Sequence, residues 1–144
     1  MAELNFSAGV RSYTVNGVPD VFSINPTDVN MVERLFNTFN ELDEKQKQKD
    51  IDIEKVDGAE VFDITRQYDQ EMRNAIDGVL GDGVCAKVFP NMNVYALADG
   101  LPVWANFMLA LIDDCNDTFS KEQKKTNPKI QKYLAKYNKA NLKR

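Results

Sequence analysis

A chain of 144 residues, 43% hydrophobic and 28% charged, is long enough for one ordinary domain, too short for two sizeable ones, and apolar enough to build a core without disulfides or metals. It contains no histidine, which excludes Ser-His-Asp and Cys-His catalysis, His-ligated metals and the commonest general base. The charge is split: residues 121–144 hold nine Lys or Arg against one Glu, a net of +8, and because the whole chain carries −4, residues 1–120 carry −12.

The first expected element is a β-hairpin. Leu4-Asn5-Phe6-Ser7 and Arg11-Ser12-Tyr13-Thr14-Val15 alternate apolar and polar residues, as half-buried strands do. Asn16-Gly17 is the pair that most readily takes the positive φ angles of a type I′ turn. Val18 to Ile24 forms the return strand, with Pro19 confined to an edge or the turn because it has no N–H to donate. A helix follows, with Asn25 as its cap, Pro26 in the first helical position and Asp28 at the positive end of the helix dipole. Val29, Val32, Leu35, Phe36, Phe39 and Leu42 recur along it at helical spacing, giving one apolar stripe. Residues 43–50 are wholly polar, a solvated helix end or a loop, and Ile51, Ile53 and Val56 fit either strand or helix.

A second helix is expected over residues 59–80, where Phe62, Tyr68, Met72, Ala75, Ile76 and Val79 share a face and Gly81 provides the stop. Residues 83–89 read as a short helix closed by Pro90-Asn91. A third helix opens near Asp99-Gly100 with Pro102 in its first turn. Trp104, Phe107, Met108, Leu111, Ile112, Cys115 and Phe119 make it the most apolar segment and the expected central core helix. A last helix starts at Asn127-Pro128 and carries Ile130, Tyr133, Leu134 and Tyr137 among lysines. The fold class is therefore α+β and helix-dominated, an N-terminal β-hairpin packed on about four helices. Residues 1–120 form an acidic globular domain and residues 121–144 a basic C-terminal helix or tail. The longest apolar run, Val103 to Ile112, is about half of the ~20 residues that cross a bilayer, so no membrane span is expected. The start of the chain has neither a basic nor an apolar leader region, which points to an intracellular protein with Cys85 and Cys115 as small core residues.

The chemistry-bearing patterns fail on inspection. Asp50, Asp52 and Glu54 have the rhythm of a calcium loop, but Lys55 stands where the turn needs glycine and Val61 where a bidentate Glu belongs. Gly78 and Gly83 have the outer spacing of a phosphate loop, but Val84-Cys85 replaces the Lys and the Ser or Thr that reach the phosphates and magnesium. No catalytic residue, metal ligand or cofactor site is assigned. The basic tail is the feature with a functional edge. It is nearly all lysine, and the acidic body would repel a duplex, so docking on an acidic partner or on the chain's own acidic body is preferred to nucleic-acid binding.

The hairpin, the helix start Asn25-Pro26-Thr27-Asp28 and the acidic helical pair are similar to small proteins encoded in the tail modules of tailed bacteriophages and prophages. Gly81-Asp82-Gly83-Val84-Cys85-Ala86-Lys87-Val88-Phe89, followed by Asn91-Met92-Asn93, resembles a Gly-x-Gly-x-x-x-Lys-apolar-Phe stretch of that group, which includes tail assembly chaperones. The resemblance extends to the lysine-rich end, here Leu142-Lys143-Arg144 where the group often has paired arginines. It implies a non-enzymatic protein of tail morphogenesis in the bacterial host cytoplasm, one that binds other tail proteins such as the tape measure or the tail tube, or further copies of itself. The alternatives are a virion component such as a head–tail connector, and a regulatory or nucleic-acid-binding module using the basic tail. Strand edges and helix grooves suit the capture of another chain's apolar residues. The candidate contact residues are Phe22, Phe36, Phe39, Trp104 and Tyr137, with Lys132 and Lys136 on the basic tail.

Overall fold

The computed structural model describes residues 1–125, 132, 135 and 136. Strands β1 (Arg11–Val15) and β2 (Val18–Ile24) pair antiparallel, with Arg11 opposite Ile24 and Tyr13 opposite Phe22. The turn between them is the expected one, since Asn16 at φ 48° and Gly17 at φ 83° both occupy the left-handed region that a type I′ turn requires. Leu4 to Ser7, whose alternation predicts strand, pairs with nothing among the described residues; regular pairing begins at Arg11. Two strands alone are marginal in water, so the hairpin depends on what it lies against. Val21, Phe22 and Ile24 are buried, and Phe22 stacks on Tyr13 at 4.8 Å between ring centroids. The Tyr13 hydroxyl donates to Asp114 at 2.6 Å and Arg11 donates to Thr118 at 2.8 Å, sewing β1 to the last long helix.

Helix α1 (Val29–Glu54) begins later than Pro26 suggests. Asp28 is the true cap, its carboxylate accepting from the Asn30 amide at 3.0 Å. Asn25 closes a local turn instead, accepting from the Thr27 amide at 2.8 Å. The polar stretch continues as helix to Glu54, so Ile51 and Ile53 are helical. Pairs one turn apart line it, Asp43 with Lys47 at 3.2 Å and Gln48 with Asp52 at 2.9 Å. Such pairs contribute only ~0.3 kcal/mol each. The larger anchor is Leu35 and Leu42, both fully buried, at about 2 kcal/mol for each side chain removed from water.

Helix α2 (Ala59–Leu80) returns antiparallel to α1 after a short link. Tyr68 bonds Asp52 near the link, and Arg34 bonds the Gly78 carbonyl at the far end. Gly81, at φ 128°, ends α2, and the short helix α3 (Val84–Val88) follows. Asp99-Gly100 does not open the third long helix directly. Both residues have positive φ and form the tight turn between the two-residue strands β3 (Leu97–Ala98) and β4 (Leu101–Pro102). Helix α4 (Val103–Lys124) starts immediately after, with Pro102 at the cap position. It is the central core helix, burying Trp104, Met108, Leu111, Ile112 and Cys115, with Leu35, Met72 and Ile76 in the same core. The helix runs through position 120, so acidic body and basic stretch are joined without a linker. The start of the expected last helix at Asn127-Pro128 lies outside the described residues, as do Ile130, Tyr133, Leu134 and Tyr137.

Candidate partner-binding groove

Two regions carry the features that composition left unexplained. The first is a polar staple on α2. Asp69, Arg73 and Asp77 recur one turn apart and so share a face. Arg73 pairs with Asp69 at 3.0 Å and donates to the carbonyls of Phe89 at 3.0 Å, Met92 at 2.5 Å and Cys85 at 3.3 Å. Asp69 also accepts from the Val94 amide at 2.7 Å. Asp77 accepts from the amides of Cys85 at 2.9 Å and Gly83 at 3.2 Å. The staple explains the stretch from Gly81 to Phe89. Gly83, left-handed at φ 80°, turns its amide and that of Cys85 onto Asp77, and Phe89 is buried in the core while Lys87 stays exposed. The amides that a phosphate would need are already engaged by a carboxylate.

Burial, and behind it the Asp77 carboxylate, pushes the Cys85 thiol up; burial and then Asp114 do the same to Cys115. Both thiols stay protonated at neutral pH, the opposite of an activated nucleophile. Burial likewise raises Tyr95, whose hydroxyl is enclosed with no hydrogen-bond partner among the described residues. Among the described residues, no group of three or more Cys, Asp or Glu is arranged to hold a metal ion.

The second region is an open apolar groove of about 330 Å³ between the N-terminal half of α1 and the C-terminal half of α4. Val29, Val32 and Phe36 line one wall and Cys115 and Phe119 the other, with Pro26 closing the end. Phe36 and Phe119 remain 45% and 42% exposed and Val29 69%. Val29 and Phe36 lie at the spacing of one face of α1 and are the part of its stripe that stays most exposed, while Phe119 comes from α4. A polar cleft of about 710 Å³ adjoins the groove at Pro26 and Thr27, and Lys121 and Lys125 border it.

The candidate residues therefore separate. Phe36 lies in the groove. Phe22, 6% exposed, and Trp104, 2% exposed, are core residues, and Phe39 packs half-buried on Trp104 at 5.7 Å. Phe22 is interior because it packs between Tyr13 and Phe107, and Phe39 and Trp104 because α4 lies against α1. Lys132 and Lys136 are helical and exposed, while Tyr137 lies outside the described residues. Val29 and Phe119 complete the groove. Both belong to apolar stripes already visible in the sequence, but which edge of a stripe stays open depends on the packing of two distant helices.

Fold and groove together describe a helix-dominated α+β protein with an unfilled apolar face. Residues 16–144 match the model of a family described as a family of unknown function (DUF6673), and the chain belongs to that family. No curated protein and no solved structure matches it.

Proposed function

We propose that this chain is a non-enzymatic binding protein of bacteriophage tail assembly, acting in the host cytoplasm as a chaperone that shelters an apolar helical stretch of another tail protein, the tape measure first among them. The observation that carries this reading is the groove. Val29, Val32, Phe36 and Phe119 offer apolar contacts at helical spacing along an opening with one apolar floor, which is the surface an amphipathic helix seeks. The adjoining cleft is polar and of mixed charge, Arg11, Lys121 and Lys125 facing Asp114, Asp117 and Glu122, and suits the polar flank of an incoming helix. The resemblance of the Gly81 to Phe89 stretch to tail-module proteins supplies the context. Among the described residues, no helix is long and apolar enough to cross a membrane.

Co-expression with the tail proteins encoded beside it, followed by affinity capture, tests the reading. The full chain is expected to retain the tape-measure protein, and Phe36→Asp to lose it while staying folded. A folded full chain that retains none of the tail proteins overturns the proposal. Recovery of the chain in purified particles would make it a virion component instead. Salt-sensitive DNA binding that depends on residues 121–144 would make it a nucleic-acid module.

A further inference from the structure

Leu4 and Phe6 of the strand-patterned Leu4–Ser7 segment find no strand partner among the described residues, and with Val10 they are 90%, 84% and 61% exposed. This N-terminal arm is not loosely attached. Asn25 donates from its side-chain amide to the Ala8 carbonyl at 2.8 Å. Gly9 sits left-handed at φ 71° against the same side chain, and a Cβ there would meet the Asn25 nitrogen at 2.8 Å. The clamp fixes where the arm leaves the body, in the polar cleft that shares Pro26 and Thr27 with the apolar groove.

Among the described residues, one chain thus carries both an apolar arm that nothing covers and an apolar groove that nothing fills. We propose that two copies exchange arms, the Leu4 and Phe6 side chains of each seating in the groove formed by Val29, Phe36 and Phe119 of the other. The pairing is isologous, so a single kind of contact made twice closes the assembly. From its anchor at Ala8 the arm spans roughly 13 Å to Leu4 at ~3.3 Å per extended residue, enough to reach a groove whose end lies beside the same anchor in the second copy. A buried aromatic contributes roughly 150 Å² or more. Two arms with their opposing groove residues then bury on the order of 1,000 Å², the lower bound for a specific interface. An interface of that size belongs with the small, transient class. It does not rest on the tail-assembly reading, and where both hold, arm and client compete for one groove.

Sedimentation of the full chain over a micromolar concentration series tests the exchange without any tail protein. The expected result is a concentration-dependent shift from 16.4 kDa to twice that mass. Phe6→Asp and Phe36→Asp should each abolish the shift, with circular dichroism unchanged because both residues are on the surface. Mixing the two variants should restore one of the two contacts, the intact arm of Phe36→Asp in the intact groove of Phe6→Asp, and give a heterodimer weaker than the wild-type dimer. A wild-type monomer at every concentration overturns the proposal, as does a dimer that survives Phe6→Asp. Client capture separates the two readings, because Phe6→Asp should lose the dimer yet keep the client.

Discussion

The staple on α2 and the groove between α1 and α4 are opposite solutions to the same problem. At the staple, each carboxylate of Asp69 and Asp77 and the guanidinium of Arg73 meet backbone groups of residues 83–94, so an irregular segment is held with its polar atoms paired. At the groove the side chains are apolar and leave Phe36 and Phe119 in contact with water. Hydrogen bonds have direction and close a surface, while apolar contact has none and accepts many shapes. The protein thus holds its own loop in place with one chemistry and leaves surface open with the other.

Breaking the closed side should have the largest effect. Arg73→Met removes the Asp69 pair and leaves three carbonyls without their donor, and is expected to cost about 3 kcal/mol in urea unfolding; a loss below 1 kcal/mol would show the staple to be ornamental. Asp77→Ala should cost about 1 kcal/mol, a cap's worth. Its effect should be local, with lost amide-exchange protection at Gly83 and Cys85 and faster alkylation of Cys85 as its neighbouring negative charge disappears. Tyr95→Phe should go the other way. Removing an enclosed hydroxyl without a partner is expected to leave stability unchanged or raise it by up to about 1 kcal/mol. Phe36→Asp on the open side should change stability by less than about 0.5 kcal/mol, which thermal melts can check.

The smallest effect concerns pH. The Tyr68 hydroxyl donates to Asp52 at 2.6 Å. That bond pushes Tyr68 up to about 12 and, with Gln48, holds Asp52 below its ordinary 3.8. The Tyr68 contribution is complete below its unfolded value of 10.0 and fades as pH rises toward 12, whereas the Asp52 contribution is complete above 3.8 and fades as pH falls below it. Tyr68→Phe should therefore flatten the stability profile at both ends, as read from denaturant midpoints at a series of pH values.

Periodic apolar spacing and strong punctuation were enough to find α2 between Ala59 and Leu80, the Asn16-Gly17 turn and the α4 core. Where a residue has two local uses, the reading slipped. Asn25 and Pro26 look like a helix start, but Asn25 is spent on its own turn and on the arm, and Asp28 takes the cap. The second half of α1 has no apolar period to betray it, and its helicity comes from charged and amide pairs one turn apart. The strands β3 and β4 are too short for alternation to register. For the site, Phe36 was visible as part of a stripe, but its exposure was not, and Phe22, Phe39 and Trp104 looked no different from it. The spacing of Asp69, Arg73 and Asp77 was the available sign of the staple. Its targets lie up to 25 residues away in the chain, where no local pattern points.

Trp104 is the chain's single tryptophan. It sits 2% exposed at the seam between α1 and α4, with its indole nitrogen donating to Gln46 at 2.9 Å. The α1–α4 seam thereby carries one fluorophore, about 17 Å along α4 from the groove at ~1.5 Å per residue. Its emission should be blue-shifted while the seam is closed and move to the red as the helices part, so a single unlabelled sample reports whether α1 and α4 stay together in each variant.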